Sequence, residues 1–300
     1  MASLRHTLKR FASYAQMATV TLLLRRKRPY LFVLLINDTC NLNCFYCTSK
    51  NTGWFNMDAA IVGASLAAAY QRGHRALAIT GGEPTLWRSG VMTIADVIAE
   101  ARRVGFLDVS MFTNGTMPLR CGASLYFVSV DGTRDLHNII RGGSYDEMLA
   151  HVRQADARAI ASITVTRANA ASLEETIKSI ADTGAFSAIT FNLLTHNPEV
   201  VRKHGFTGPD RTAVLDRLWA LRQQGYPLIL SRAGYRALRT NKWKRPIRQI
   251  ELGTKDRVFT CCRDVDNPAV CGNCGYAGCV EMAQAIAGHP SALLALFEAL

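Results

Sequence analysis

Three cysteines fall within eight residues, Cys40-x3-Cys44-x2-Cys47, and at that spacing their thiolates can converge on one metal centre. Cysteine sulfur suits iron–sulfur clusters or zinc. A closed structural site takes four protein ligands, whereas three leave one position open for a molecule that reacts. A second set follows near the end of the chain. Cys262-x8-Cys271-x2-Cys274-x4-Cys279, with Cys261 adjacent, offers up to five thiols interleaved with glycines. Two readings of this second set stay open, an auxiliary iron–sulfur cluster or a structural zinc. Cys121 stands alone and reads as a small buried residue.

The elements that must position the first set are legible as a rhythm. Strand-like apolar runs occur at 31–36, 75–80, 107–113, 125–130, 161–166 and 188–194, and helical patterns at 58–72, 89–104, 144–158 and 172–184. The connection around residues 117–123 has room for no more than a turn or two of helix. Apolar strands alternating with helices imply parallel pairing and right-handed crossovers. Six units fall short of the eight that close a full barrel. The expected fold is α/β, with six β/α units over residues 29–200. An amino-terminal helix over 1–28 precedes it, and a cysteine-rich extension over 201–300 follows. Within that extension a helix is expected at 210–224 and a short strand at 227–231, leading into the basic stretch 232–248.

Ligands of parallel α/β folds bind at the carboxyl ends of the strands, and each polar motif falls at such an end. Gly81-Gly82-Glu83-Pro84 follows the second run, Thr113-Asn114-Gly115 the third, and Ser129-Val130-Asp131-Gly132 the fourth. His137 and Arg141-Gly142-Gly143-Ser144-Tyr145 come next, and Thr164, Thr166 and Asn169 end the fifth. The glycines at 81 and 82 would let the backbone approach a ligand, and the lesser reading of Glu83 is an ordinary helix-start carboxylate.

Together these residues resemble the radical S-adenosylmethionine (SAM) family, with Tyr46 as the aromatic before the last cysteine of its three-cysteine signature. The resemblance covers roughly residues 30–195 and implies that the six units form an open, partial (β/α)6 barrel. It implies a [4Fe–4S] cluster on Cys40, Cys44 and Cys47, whose free iron chelates SAM. It further implies reductive cleavage of SAM to a 5′-deoxyadenosyl radical, followed by hydrogen abstraction from a substrate or addition to it. Gly81, Gly82, Glu83 and Pro84 would then meet the SAM amino group, and Thr113 and Asn114 its ribose and methionine. Ser129 and Arg141 would grip the SAM carboxylate and hydroxyls, and an electron donor such as flavodoxin or ferredoxin is expected. The stretch Cys271–Ala283 is similar to the tail of a subgroup that includes adenosylhopane synthase. It is shorter than the full SPASM extension of many peptide-modifying relatives.

Composition bounds the remaining choices. Apolar residues are 49% and charged ones 19% of 300, a globular balance. No apolar run reaches the roughly 18 residues of a membrane span. The net charge of +12 points to an anionic substrate, a nucleic acid or an anionic surface. Leu4, Leu8, Phe11, Ala15, Ala18 and Leu22 recur at helical spacing beside Arg25–Arg28, a basic amphipathic helix fit either to lie on a membrane or to pack on the barrel. Cysteine clustering fits a reducing cytosol, so the expected location is cytoplasmic, with membrane association on the cytoplasmic face as the variant. The substrate expectation is an amphiphilic or anionic small molecule, with peptide modification as the alternative. Electron transfer without SAM and nucleic-acid binding are the rivals of another class. The second lacks exposed aromatic platforms beyond Trp243, which stands among Lys242, Lys244 and Arg245.

Overall fold

The computed structural model describes residues 28–53 and 55–299 together with isolated positions 13 and 19. Apart from those positions and residue 28, the expected helix over 1–28 lies outside the described residues. Six of the strands are the six expected: β1 (Leu31–Leu35), β2 (Ala76–Thr80), β5 (Asp108–Thr113), β6 (Leu125–Ser129), β7 (Ala159–Val165) and β8 (Ala188–Leu193). A small hairpin, β3 (Arg88–Ser89) with β4 (Met92–Thr93), lies between β2 and β5. All six large strands run parallel in the order β1-β2-β5-β6-β7-β8. Their apolar runs are continuous because the sheet is covered. Phe32 and Leu34 on β1, Leu77 and Ile79 on β2, and Ile163 and Val165 on β7 are fully buried in one core with the surrounding helices.

Helices Ala59–Arg72, Ile94–Val104, Tyr145–Arg153 and Leu173–Asp182 fall where the 3.6-residue periodicity places them. The second begins later than its expected start at 89 because the hairpin takes residues 88–93. A capping box fixes that start, Asp96 accepting a 2.7 Å hydrogen bond from the Thr93 backbone N–H. An additional helix, Arg134–Arg141, precedes Tyr145–Arg153. Residues 114–124 carry no helix.

Past residue 195 the chain returns to the barrel. Helix Gly208–Gln223 lies where one was expected, and Arg232–Thr240, within the basic stretch, is also helical. The strand expected at 227–231 reduces to one parallel bridge between Leu228 and Ile189. Pro227 carries no N–H to extend a ladder, and Ser231 already caps the next helix by accepting from Gly234 N–H at 2.8 Å. Besides the hairpin, two further strands went unforeseen. β9 (Ile250–Gly253) pairs parallel with β1, Leu31 opposite Ile250, and β10 (Val258–Thr260) pairs antiparallel with β9. The sheet thus ends at β10 on one side and β8 on the other, an open partial barrel. Helix Ala277–Ile286 packs on β8, while its Met282 and Ile286 share an apolar cluster with Leu31 and Val33 of β1.

Candidate active site and second thiol group

Cys40, Cys44 and Cys47 occupy the loop leaving the carboxyl end of β1, all as free thiols, Cys44 buried and the others half-buried. Polar contacts with the main chain fix that loop. Asn51 takes the left-handed backbone region at φ 45°, which asparagine tolerates. Its side chain then accepts from Cys40 N–H and donates to Cys40 C=O, both at 3.0 Å. Lys50 Nζ donates to Cys44 C=O at 2.7 Å and to the Asn43 side chain. The Cys40 sulfur receives Leu42 N–H at 3.4 Å and the Asn114 amide at 3.8 Å.

Burial raises the thiol pKa values of Cys40 and Cys44, and the neighbouring thiols add to the rise. For Cys44 the Arg141 guanidinium pulls the other way. A bound cation would compensate sulfurs crowded in this way, the chemistry expected of metal ligands. The residues therefore fit a three-thiolate cluster site. Among the described residues, no three His, Cys, Asp or Glu side chains form a single-ion group.

The glycines of the second motif serve a different approach from the one expected. A Cβ on Gly81 would lie 2.2 Å from Asn37 Oδ1, and one on Gly82 2.3 Å from the Asp38 carbonyl. What comes close is the chain's own segment 37–39, the lead into the cysteine loop. Gly82 N–H donates to Asn37 C=O at 2.8 Å and Glu83 N–H to Thr39 C=O at 2.7 Å. Glu83 is fully buried. Its carboxylate accepts from Thr85 N–H (3.0 Å), Thr85 Oγ1 (2.6 Å), Thr113 Oγ1 (2.8 Å) and Asn114 N–H (2.7 Å). Burial raises its pKa while these donors pull it down. Glu83 thus caps the short 3-10 turn Pro84–Leu86 and straps the end of β2 to the end of β5. Asn114 carries the strap onward, donating to Asn41 Oδ1 at 2.9 Å.

A second buried network lies at the end of β6. Asp131 is fully buried and receives Arg141 Nε at 2.7 Å, the Tyr46 hydroxyl, and Thr164 N–H at 2.9 Å. Arg141 also donates to the Tyr46 oxygen. Burial pulls Arg141 down, but Asp131, Tyr46 and Cys44 outweigh it and hold the guanidinium above its usual range. Arg141, expected on a ligand carboxylate, is thus paired with a carboxylate of the chain itself. His137 receives Asp131 N–H and meets Ser144 Oγ at 3.2 Å. Burial pushes it down to about 4, so it is neutral at pH 7. Asn169 donates to the carbonyls of Asp131 and Thr164, both at 2.9 Å. Ser129 ends β6 opposite Ser162. Cys44 and Tyr46 pack with Ile140, Leu194 and Val201 in one apolar cluster.

Behind Val201 lies a cavity of 410 Å³ lined by Arg167, Thr195, Arg202, Thr207 and Asn273 among others. Its charged lining residues, Arg167 and Arg202, are both cationic.

The carboxyl-terminal cysteines lie near enough to perturb one another's thiols. Cys262 and Cys279 crowd the Cys261 thiol, and its pKa is pushed up to about 12: Cys262 lowers it, outweighed by Cys279 and burial. Burial first, then the neighbouring thiols, carries Cys274 to about 12, and Cys271 is raised by burial and by Cys262. The group stands close to the first thiol loop, for Arg263 donates to Thr48 Oγ1 at 2.9 Å. Asp264 meets His196 beyond β8. Cys121 stands apart from both groups, half-buried. The residues that sequence reasoning missed are Asn37, Asn41, Lys50 and Asn51. Only Asn51 left a trace, as an asparagine in a turn-rich stretch.

Residues 34–168 match the family model described as "Radical SAM superfamily". A protein named "Probable GTP 3',8-cyclase" from Sulfolobus acidocaldarius is 29% identical over 109 residues, 35% of this chain and 34% of that protein. "GTP 3',8-cyclase" from Bradyrhizobium diazoefficiens is 29% identical over 140 residues, 42% of this chain and 40% of that protein. The chain therefore spans less than half the length of these curated relatives. Among solved structures, Streptococcus suis SuiB bound to precursor peptide SuiA aligns with TM-score 0.62 at 11% identity. That alignment covers 83% of this chain and 63% of that one. Native anSMEcpe with bound AdoMet and Cp18Cys peptide aligns with TM-score 0.58 at 18% identity, over 88% and 81%. At these identities the likeness is one of fold.

Proposed function

From the match of residues 34–168 to the radical SAM family model we propose that the chain reductively cleaves SAM and acts on an amphiphilic or anionic small molecule. The observation that carries the reading is the loop of Cys40, Cys44 and Cys47, pinned by Asn51 and Lys50 beside the Glu83 strap. When bound, a [4Fe–4S] cluster supplies the electron and SAM the carbon-centred radical. The chain's own part is orientation and exclusion of water. Asn51 and Lys50 hold the three thiols in register, and the strap through Glu83, Thr113 and Asn114 fixes the two strand ends expected to face SAM. Tyr46, locked by Asp131 and Arg141, cannot swing away from the cysteine that follows it.

The anionic substrate class draws support from Arg167 and Arg202 in the cavity beside Val201, and the GTP 3′,8-cyclase relatives agree in kind. The peptide alternative draws on SuiB and anSMEcpe, whose structures hold peptides. The carboxyl-terminal thiols we read as a second metal site. An external one-electron donor of the flavodoxin or ferredoxin class completes the scheme.

The test is anaerobic reconstitution of the full chain and of a Cys40/Cys44/Cys47→Ala variant, with 5′-deoxyadenosine measured under dithionite. Wild type should release it and the variant should not. A cluster-loaded wild type that cleaves no SAM, even with nucleotide and peptide candidates present, would overturn the reading.

A further inference from the structure

Buried N–H donors are rarely left without an acceptor in folded proteins. Among the described residues, Arg211 Nε, Arg245 Nη1 and Trp243 Nε1 are buried donors without one. All three belong to residues that surround the second thiol group. Arg211 donates from Nη1 to Asn273 C=O at 2.8 Å and from Nη2 to Cys274 C=O at 3.0 Å. Asn241 donates to Gly272 C=O at 2.7 Å. The Cys271–Cys274 turn is therefore held by its carbonyls. Arg245 donates from Nη2 to Asn241 C=O at 2.8 Å and stacks 4.5 Å over the Trp243 ring. Trp243 packs in the same apolar cluster as Cys261 and Cys279. Cys261 itself is held at φ 72°, a left-handed conformation rare for a residue that is neither glycine nor asparagine and characteristic of constrained sites.

The donors thus border the thiol group from more than one side, Arg211 at Cys274 and Trp243 at Cys261 and Cys279. Two guanidiniums beside crowded thiols call for a body of negative charge, and three unmet N–H groups call for acceptors. A lone zinc brings no acceptor of its own. An iron–sulfur cluster brings sulfides, is larger, and is net anionic with thiolate ligands.

We propose that Arg211, Arg245 and Trp243 donate hydrogen bonds to the sulfurs of an iron–sulfur cluster held by the cysteines between 261 and 279. The inference rests on the reading of these thiols as a metal site and is independent of chemistry at Cys40–Cys47. Donors of this kind stabilise the reduced, more negative cluster and so raise its reduction potential.

The test uses the full-length Cys40/Cys44/Cys47→Ala variant, anaerobically reconstituted with iron and sulfide and reduced by dithionite. It should retain about four irons and about four sulfides per chain and give the electron paramagnetic resonance signal of a reduced cluster. Adding Trp243→Phe, which keeps the packing, or Arg245→Met should move the midpoint potential negative. A tenfold drop in the reduced-to-oxidised ratio at fixed potential corresponds to about 59 mV for one electron. One bound zinc without sulfide, or no metal at all, overturns the cluster and the metal reading's iron form together. A cluster whose potential is the same in all three proteins overturns the donor assignment alone and leaves the metal reading standing.

Discussion

Replacing Asp131 by Asn should damage the protein far more than a single lost surface contact would. Asp131 is fully buried and Arg141 8% exposed, with 2.7 Å between Nε and Oδ2. At that distance and an effective dielectric near 20, the Coulomb attraction is about 6 kcal/mol, and desolvating both ions offsets much of it. The net worth of the pair is therefore small, but removing one partner leaves a buried guanidinium uncompensated, which costs about 3–5 kcal/mol. For 300 residues, with an unfolding entropy of about 0.6 kcal/mol/K, that lowers the melting midpoint by roughly 5–8 °C. Tyr46 also loses its anionic acceptor, and it stands between Cys44 and Cys47, so iron retained after anaerobic reconstitution should fall as well. Asp131→Leu combined with Arg141→Met should recover most of the stability, because the stranded charge is gone. Anaerobic scanning fluorimetry with iron analysis reads both quantities. A midpoint within about 1 °C of wild type in Asp131→Asn, with full iron, would refute the argument.

Three further expectations follow from other parts of the molecule. Asn51→Ala removes both hydrogen bonds to the Cys40 backbone, about 2 kcal/mol of local order, and should lower iron and sulfide loading; unchanged loading would show the loop is held otherwise. His137 titrates near 4 when folded against 6.5 when free. Its contribution is therefore complete above about pH 6.5 and declines as pH falls toward 4, by up to about 3 kcal/mol. His137→Asn should flatten the difference in urea midpoint between pH 7 and pH 5, and an undiminished difference would assign it to other groups. Finally, the basic amphipathic reading of residues 1–28 predicts that full-length protein co-sediments with anionic liposomes and that protein lacking them does not. Equal partitioning of the two would end the membrane proposal.

Much of the barrel was legible because its strands are buried on both faces, and unbroken apolar runs survive without alignment or partner information. Legibility stopped where tertiary contact decides the local state. Ile250–Gly253 is four residues with no period of its own, and only β1 makes it a strand. Residues 227–231 look more like a strand, yet Pro227 and the Ser231 cap leave a single bridge. The site divides the same way. Spacing alone marked the cysteines, since ligand geometry is written in sequence intervals. The inward use of Glu83, the Asp131–Arg141–Tyr46 network and the grip of Asn51 depend on residues brought together from separate strand ends. Arg245 and Trp243 were visible only as members of a basic stretch and Arg211 only as part of an expected helix, and what distinguishes them is an unmet donor, which a sequence does not display.

The pairing of β9 with β1 also sets an order of events during synthesis. The edge of β1 gains its partner only after most of the chain has been made, and Arg263 reaches Thr48 only then. Until that moment the first thiol loop lies next to an unprotected strand edge, a template for unwanted association. Truncations that end before residue 250 should therefore yield chains that aggregate instead of chains that merely lack a tail.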